Sequence, residues 1–202
     1  MRVLVLAVAL SMTAAVTAHP ASPRCQAPQD ARVLARTSLS VVWEDRSEVV
    51  ACLRSGSRVI VDPNSEDEDV RAWLTGRFVA LATQFCDPKE EDRSCRYTHV
   101  SVWDLRSRRL VSARSYDDVN GDDVYAQLDD LKLTSRGATV LLLKVAANRE
   151  VWLLCSRGAE RVAAAQTIAP RLRETRRFVR WTDSATGEQT GIRPTCRPPA
   201  SR

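Results

Sequence analysis

Three stretches of this chain repeat one strand–turn–strand pattern. In residues 100–111, apolar and polar residues alternate, a short polar turn follows, and the apolar residues resume. Residues 49–61 repeat the pattern around Gly56, and residues 151–162 repeat it around Gly158. A period of two is typical of strands with one face buried, and recurring hairpins indicate a repeated unit. The pattern therefore predicts an all-β repeat architecture.

The strand pattern extends to four units, which begin near residues 33, 70, 128 and 172. We expect four strands in each of the first three units and three in the last, because no stretch carries a long helical stripe of apolar residues. Strands this short also suit a two-sheet β-sandwich, which is the alternative fold. A hydroxyl-bearing residue precedes the second strand of each unit: Thr37, Thr75, Ser135 and Thr175.

Residues 100–107, with the sequence VSVWDLRS, resemble the third-strand signature of a WD-repeat blade, and Trp103 and Asp104 form its Trp-Asp pair. Four antiparallel strands repeated at roughly 40–45 residues are the blade plan of a β-propeller. The chain thus resembles secreted bacterial proteins with propeller-like repeats. The resemblance implies a β-propeller-like array of about four small blades, a binding or assembly scaffold, and no catalytic residue.

The N-terminus predicts a secretory signal peptide. A positive start at Arg2 precedes an apolar run over residues 3–10, and small residues lead to Ala18. We expect cleavage after residue 18, followed by a leader over residues 19–31, a repeat domain over 32–193 and a tail over 194–202. No apolar run approaches the ~20 residues that a membrane span needs. The predicted location is secreted or extracytoplasmic.

All six cysteines follow the predicted signal peptide, and an even count in an oxidising compartment indicates three disulfides. Cys86 and Cys95 flank a polar loop and most simply connect one hairpin. We favour the pairs Cys25–Cys52, Cys86–Cys95 and Cys155–Cys196. The alternative joins Cys25 to Cys196 and ties the two chain ends together.

The net charge of +5 depends on arginine, and the tail over residues 171–202 is the most basic stretch. One interpretation of it is an electrostatic patch for an anionic polymer. This stretch contains Arg171, Arg173, Arg176, Arg177 and Arg180. We interpret it as a solvated strand face, and we expect no nucleic acid partner because no aromatic residues are interleaved for base stacking. Loops on a β scaffold favour a protein or cell-envelope component as partner, and open sheet edges allow a homodimer.

One segment resembles the calcium loop of EF-hand and dockerin modules. Asp118, Asn120, Asp122 and Asp129 occupy loop positions 1, 3, 5 and 12, where oxygen ligands belong. Position 6, which is glycine in those loops, is Asp123. The segment therefore predicts calcium as a possible cofactor, with a polar connector between two units as the alternative interpretation.

Cleavage after Ala18 would make His19 the N-terminal residue, and His99 is the other histidine of the mature chain. A terminal amine with two imidazoles can bind copper, as in exported polysaccharide monooxygenases. Solvated or hydrogen-bonded histidines are the more ordinary interpretation. Five tryptophans lie in predicted strands, where we expect core packing rather than sugar binding: Trp43, Trp73, Trp103, Trp152 and Trp181.

The sequence therefore favours an exported, non-enzymatic β-repeat scaffold that binds a protein or envelope component through its loops. The alternatives are an exported polysaccharide-active enzyme, hydrolytic or copper-dependent, and a structural calcium-binding module. No phosphate-binding glycine loop or nucleophile elbow supports other chemistry.

Overall fold

The computed structural model describes residues 25–62, 69–86, 95–116 and 126–196, apart from the side chains of 85–86 and 95–97. Every regular element in these residues is a strand, which confirms the all-β prediction. The first sheet contains β1 (Arg32–Arg36), β2 (Ser40–Asp45), β3 (Glu48–Leu53) and β4 (Arg58–Asp62). The second contains β5 (Asp69–Thr75), β6 (Phe78–Cys86), β7 (Cys95–Asp104) and β8 (Arg109–Ser115).

The third sheet contains β9 (Ala126–Leu133), β10 (Thr139–Val145), β11 (Asn148–Cys155) and β12 (Gly158–Ala165). The fourth contains β13 (Arg173–Glu174), β14 (Val179–Thr182) and β15 (Gln189–Ile192). In every sheet the strands are antiparallel and adjacent in chain order. Four meander sheets match the four units expected from the sequence and differ from the two-sheet sandwich.

A threonine begins the turn between the first and second strands in three of the sheets. The Thr37 N–H donates to the Ser40 carbonyl at 2.8 Å, and the Thr175 N–H donates to the Phe178 carbonyl at 2.8 Å. In the third sheet the residue is Thr134, whose N–H donates to the carbonyl of residue 138 at 2.9 Å. Ser135, the hydroxyl-bearing residue expected from the sequence, lies in the same turn, one position after Thr134.

The hairpin between the third and fourth strands carries a β-bulge in each four-stranded sheet. The register of these hairpins skips one residue of the fourth strand, and that residue is Val61 in β4, Val111 in β8 and Val162 in β12. A bulge bends the strand and increases its twist. β4, β8 and β12 are edge strands of their sheets. The extra twist at their bulges discourages pairing with other chains.

The apolar core lies between successive sheets. Buried residues of the first and second sheets form one cluster, those of the second and third a larger one, and those of the third and fourth another. The first strands also meet, since β1 contacts β5 and β5 contacts β9. The burial of apolar side chains between sheets that follow each other in the chain is the main interaction that holds the sheets together.

Residues 25–31 cover the other face of the first sheet. Cys25, Ala27 and Ala31 pack on a cluster that includes Trp43, and Cys25 is bonded to Cys52 of β3. This part of the predicted leader therefore belongs to the folded unit.

Two disulfides are present among the described side chains, Cys25–Cys52 and Cys155–Cys196, and both are pairs that the sequence favoured. The backbones of β6 and β7 place Cys86 opposite Cys95, and the side chains of that third pair lie outside the description. Disulfides are consistent with an oxidising, extracytoplasmic environment. The described residues include no helix that could cross a bilayer.

Candidate functional site

Seven turns of the four sheets lie at one end of the molecule. In a meander, alternate turns fall at opposite ends of the sheet, and short contacts align the ends of neighbouring sheets. The Ser40 hydroxyl lies 3.5 Å from the Gly76 carbonyl, and the Thr75 hydroxyl donates to the Leu133 carbonyl at 2.9 Å. The turns are residues 37–39, 54–57, 76–77, 105–108, 134–138, 156–157 and 175–178.

These seven turns contain eight arginines and neither aspartate nor glutamate. All eight arginines are exposed, and we call them the arginine surface: Arg54, Arg77, Arg106, Arg108, Arg136, Arg157, Arg176 and Arg177. Because hairpin turns must leave the sheet, rigid strands hold these side chains out into solvent at one end. The result is a surface of one charge built from all four sheets.

Seven of these eight arginines form no ion pair with a described residue. Arg77 Nε lies 3.3 Å from Asp104 Oδ2, and it is the one member of the arginine surface that forms an ion pair with a described residue. A guanidinium stays protonated at any physiological pH and offers several N–H donors in a planar fork. The surface can therefore bind carboxylates, phosphates or sulfates at several points.

A cleft of about 390 Å³ at the same end concentrates the charge between the third and fourth sheets. Its lining includes Arg136, Arg176 and Arg177 together with Arg193, which follows β15 and stacks over the Phe178 ring at 5.5 Å. Glu174 is the acidic residue of this lining. Stacking holds the Arg193 guanidinium in place, so less side-chain entropy is lost when an anion binds to it.

The opposite end of the sheets contains most of the acidic residues that lie between strands. Its described connections contain Asp183 and Glu188 between β14 and β15, Arg46 between β2 and β3, and Arg171 between β12 and β13. Three further segments, residues 63–68, 87–94 and 117–125, join strand ends located there and contain eleven acidic and two basic residues. Their structure lies outside the description, but their sequence gives the connections between these strand ends an excess of acidic over basic residues.

The predicted calcium ligands are described only in part. Asp118, Asn120 and Asp122 lie outside the described residues. Asp129 lies in β9, and its Oδ2 accepts a hydrogen bond from Arg149 Nε at 2.6 Å. Within the described ranges no three His, Cys, Asp or Glu side chains form a group that could hold a metal ion. Any metal at Asp129 would therefore have to displace this arginine.

The predicted copper ligands are also described only in part. His19 lies outside the described residues, whereas His99 lies in β7 with its Nδ1 2.9 Å from the Ser115 hydroxyl. The hydrogen bond joins β7 to β8, as expected for a histidine on a paired strand.

The tryptophans contribute to the core clusters. Trp43, Trp152 and Trp181 are buried, and Trp73 and Trp103 are half-buried against core clusters. Their placement agrees with the expected packing role.

Sequence reasoning located the arginines near residue 176 but missed the rest of the arginine surface. Its members are up to 123 residues apart in the chain, and only the strand order brings them to one end. The available signal was the position of arginine in alternate turns of each unit. No protein-family model matches the chain, and no curated protein gives a significant match.

Proposed function

We propose that this protein is an exported, non-enzymatic β-repeat scaffold that binds an anionic protein or cell-envelope component through the arginine surface. The observation that carries the proposal is the presence of eight exposed arginines, without an acidic residue, in the seven turns at one end. Charge of one sign on a rigid surface steers and orients a partner of the opposite sign.

The proposed architecture is a propeller-like array of the four sheets. Three observations support it: each sheet is a meander, the sheets pack in chain order, and β1, β5 and β9 meet along their first strands. In such an array the turns of all blades share one face, which suits a broad partner better than a small ligand.

A charge-reversal experiment tests the function. We expect Arg106→Glu combined with Arg136→Glu to weaken binding to immobilised polyglutamate by about tenfold or more in low salt. The reason is that two attractive charges become repulsive on the surface that meets the polymer. Binding of the unsubstituted protein should also weaken steeply as sodium chloride is raised, because exposed charges are screened.

The matched control is Arg46→Glu combined with Arg180→Glu, which changes net charge equally at exposed positions outside the arginine surface. We expect a smaller loss of affinity for this pair. Equal losses in the two double variants would show that only total charge matters. Salt-insensitive binding, or no binding at low salt, would also reject the arginine surface as the binding site.

A further inference from the structure

The fourth sheet lacks the fourth strand that the other three sheets have. β4, β8 and β12 pair with the third strand of their sheets, whereas β15, the third strand of its sheet, pairs only with β14 among the described residues. One edge of β15 therefore presents backbone N–H and carbonyl groups without a strand partner. Such an edge is a template for an added strand.

A groove of about 940 Å³ lies beside this edge. Leu153 of β11 and Val162 of β12 line it on one side, and Ile192 at the end of β15 lines it on the other. Leu153, Val162 and Ile192 are half-buried members of the packing between the third and fourth sheets. The groove therefore offers apolar surface next to an unpaired strand edge.

The groove occupies the place where a fourth strand is expected. In the third sheet, the fourth strand β12 contacts β8 of the preceding sheet. By the same arrangement, a fourth strand in the fourth sheet would lie beside β12, whose residues Gly158, Ala159, Glu160 and Val162 line the groove. The repeat thus predicts both the pairing partner and the packing surface of the missing strand.

β15 ends at Ile192, and the described residues that follow it form no strand. Pro194 lacks the N–H that a strand ladder needs, and Cys196 is bonded to Cys155 at the end of β11. Residues 19–24 and 197–202 each contain two prolines and are equally unsuited to supply ladder hydrogen bonds. No described strand of this chain occupies the position, which leaves it open to a segment of another molecule.

We propose that the groove and the free edge of β15 bind an extended segment of a partner protein, which completes the fourth sheet as its outer strand. Alternate side chains of an added strand point to one face, so apolar residues at every second position would pack on Leu153 and Val162. Arg157 and Arg193 border the groove against a single acidic residue, Glu160. Acidic residues of the partner segment, on either side of its apolar positions, would pair with Arg157 and Arg193.

This inference goes beyond the proposed function, because it depends on a strand edge and an apolar groove rather than on the charge of the whole arginine surface. The probe is an acetylated, amidated seven-residue peptide with valine at positions 2, 4 and 6, threonine at 3 and 5, and glutamate at 1 and 7. Two further peptides carry N-methyl groups on the odd or on the even residues.

We expect the unmodified peptide to bind and to protect the amides of β15 from hydrogen exchange. In a strand, alternate N–H groups face the neighbouring strand. One N-methylated peptide should therefore lose about tenfold or more in affinity, and the other should bind within about twofold of the parent. Equal affinity for both methylated peptides, absence of binding, or unprotected β15 amides would overturn the proposal.

Paired variants locate the site. Val162→Thr, a swap of similar shape, should weaken binding by about threefold or more, whereas Val111→Thr at the equivalent bulge in β8 should not. Arg157→Glu should weaken binding by about fivefold, whereas Arg46→Glu, at an exposed turn position of the first sheet outside the arginine surface, should not.

The remaining outcomes separate the two proposals. If Arg106→Glu combined with Arg136→Glu abolishes polyglutamate binding but the peptide does not bind, the strand-addition site is wrong and the proposed function stands. If sedimentation shows a dimer without peptide and β15 is already protected, a second copy occupies the edge and the partner-segment proposal fails.

Discussion

At the scale of single residues, Tyr116 is a buried polar group whose hydroxyl has no hydrogen-bond partner among the described residues. Its ring meets the Trp152 ring edge-on with centroids 5.5 Å apart, and the Arg114 guanidinium lies over both rings. Burial raises the pKa of the Tyr116 phenol above its ordinary value, and the nearby Arg114 charge only partly opposes this. The packing of this ring therefore makes the fold sensitive to high pH.

We expect the unsubstituted protein to lose stability, relative to Tyr116→Phe, as pH rises above about 10. A raised pKa in the folded state means that the stabilisation is complete below the unfolded value and is lost above it. The comparison uses the free energy of unfolding in urea between pH 7 and pH 11.5. Parallel pH profiles for the two proteins would contradict the assignment, since Tyr97 and Tyr125 are present in both.

At the scale of elements, the strand pattern was predictable because each strand buries one face. All four units were placed from the alternation of apolar and polar residues, and the structure has strands at each of them. The bulges at Val61, Val111 and Val162 were not predictable, since a bulge depends on how two strands pair rather than on either sequence alone. The arginine surface required the strand order as well.

The turn between β9 and β10 shows how one element joins two sheets. Gly137 has a φ of +81°, and a Cβ added there would lie 2.9 Å from a ring carbon of the buried Phe78 in β6. Glycine is therefore required both for the left-handed backbone and for close packing against the second sheet.

We expect Gly137→Ala to lower the free energy of unfolding by about 2–4 kcal/mol, from backbone strain and overpacking together. Gly187→Ala is the matched control, because Gly187 has a φ of +74° with nothing within 4 Å of an added Cβ. It should cost only about 1 kcal/mol. Denaturant unfolding of both variants measures the difference, and equal costs would show that Phe78 moves aside freely.

At the scale of the whole molecule, the sheets are joined in series. Each core cluster between sheets links neighbours in chain order, and the disulfide Cys155–Cys196 spans 41 residues to tie the last segment to the third sheet. In a serial arrangement, a change that destabilises the last sheet should leave the local stability of the first sheet unchanged, because each sheet is stabilised mainly by its nearest neighbours.

We expect Cys155→Ala combined with Cys196→Ala to lower the free energy of unfolding by about 2–4 kcal/mol, since the bond restricts the unfolded chain. Hydrogen exchange should accelerate in β14 and stay unchanged in β2 of the first sheet. A comparable acceleration in β2 would show that the sheets unfold as one cooperative unit and that the serial description fails.

The separation of charge between the two ends has a consequence for any surface that the protein covers. If the arginine turns bind an anionic layer as proposed, the opposite ends of the strands point away from that layer. Because the segments that join those strand ends have an acid-rich sequence, a coat of this protein would change what can adhere to the layer without adding a second basic surface.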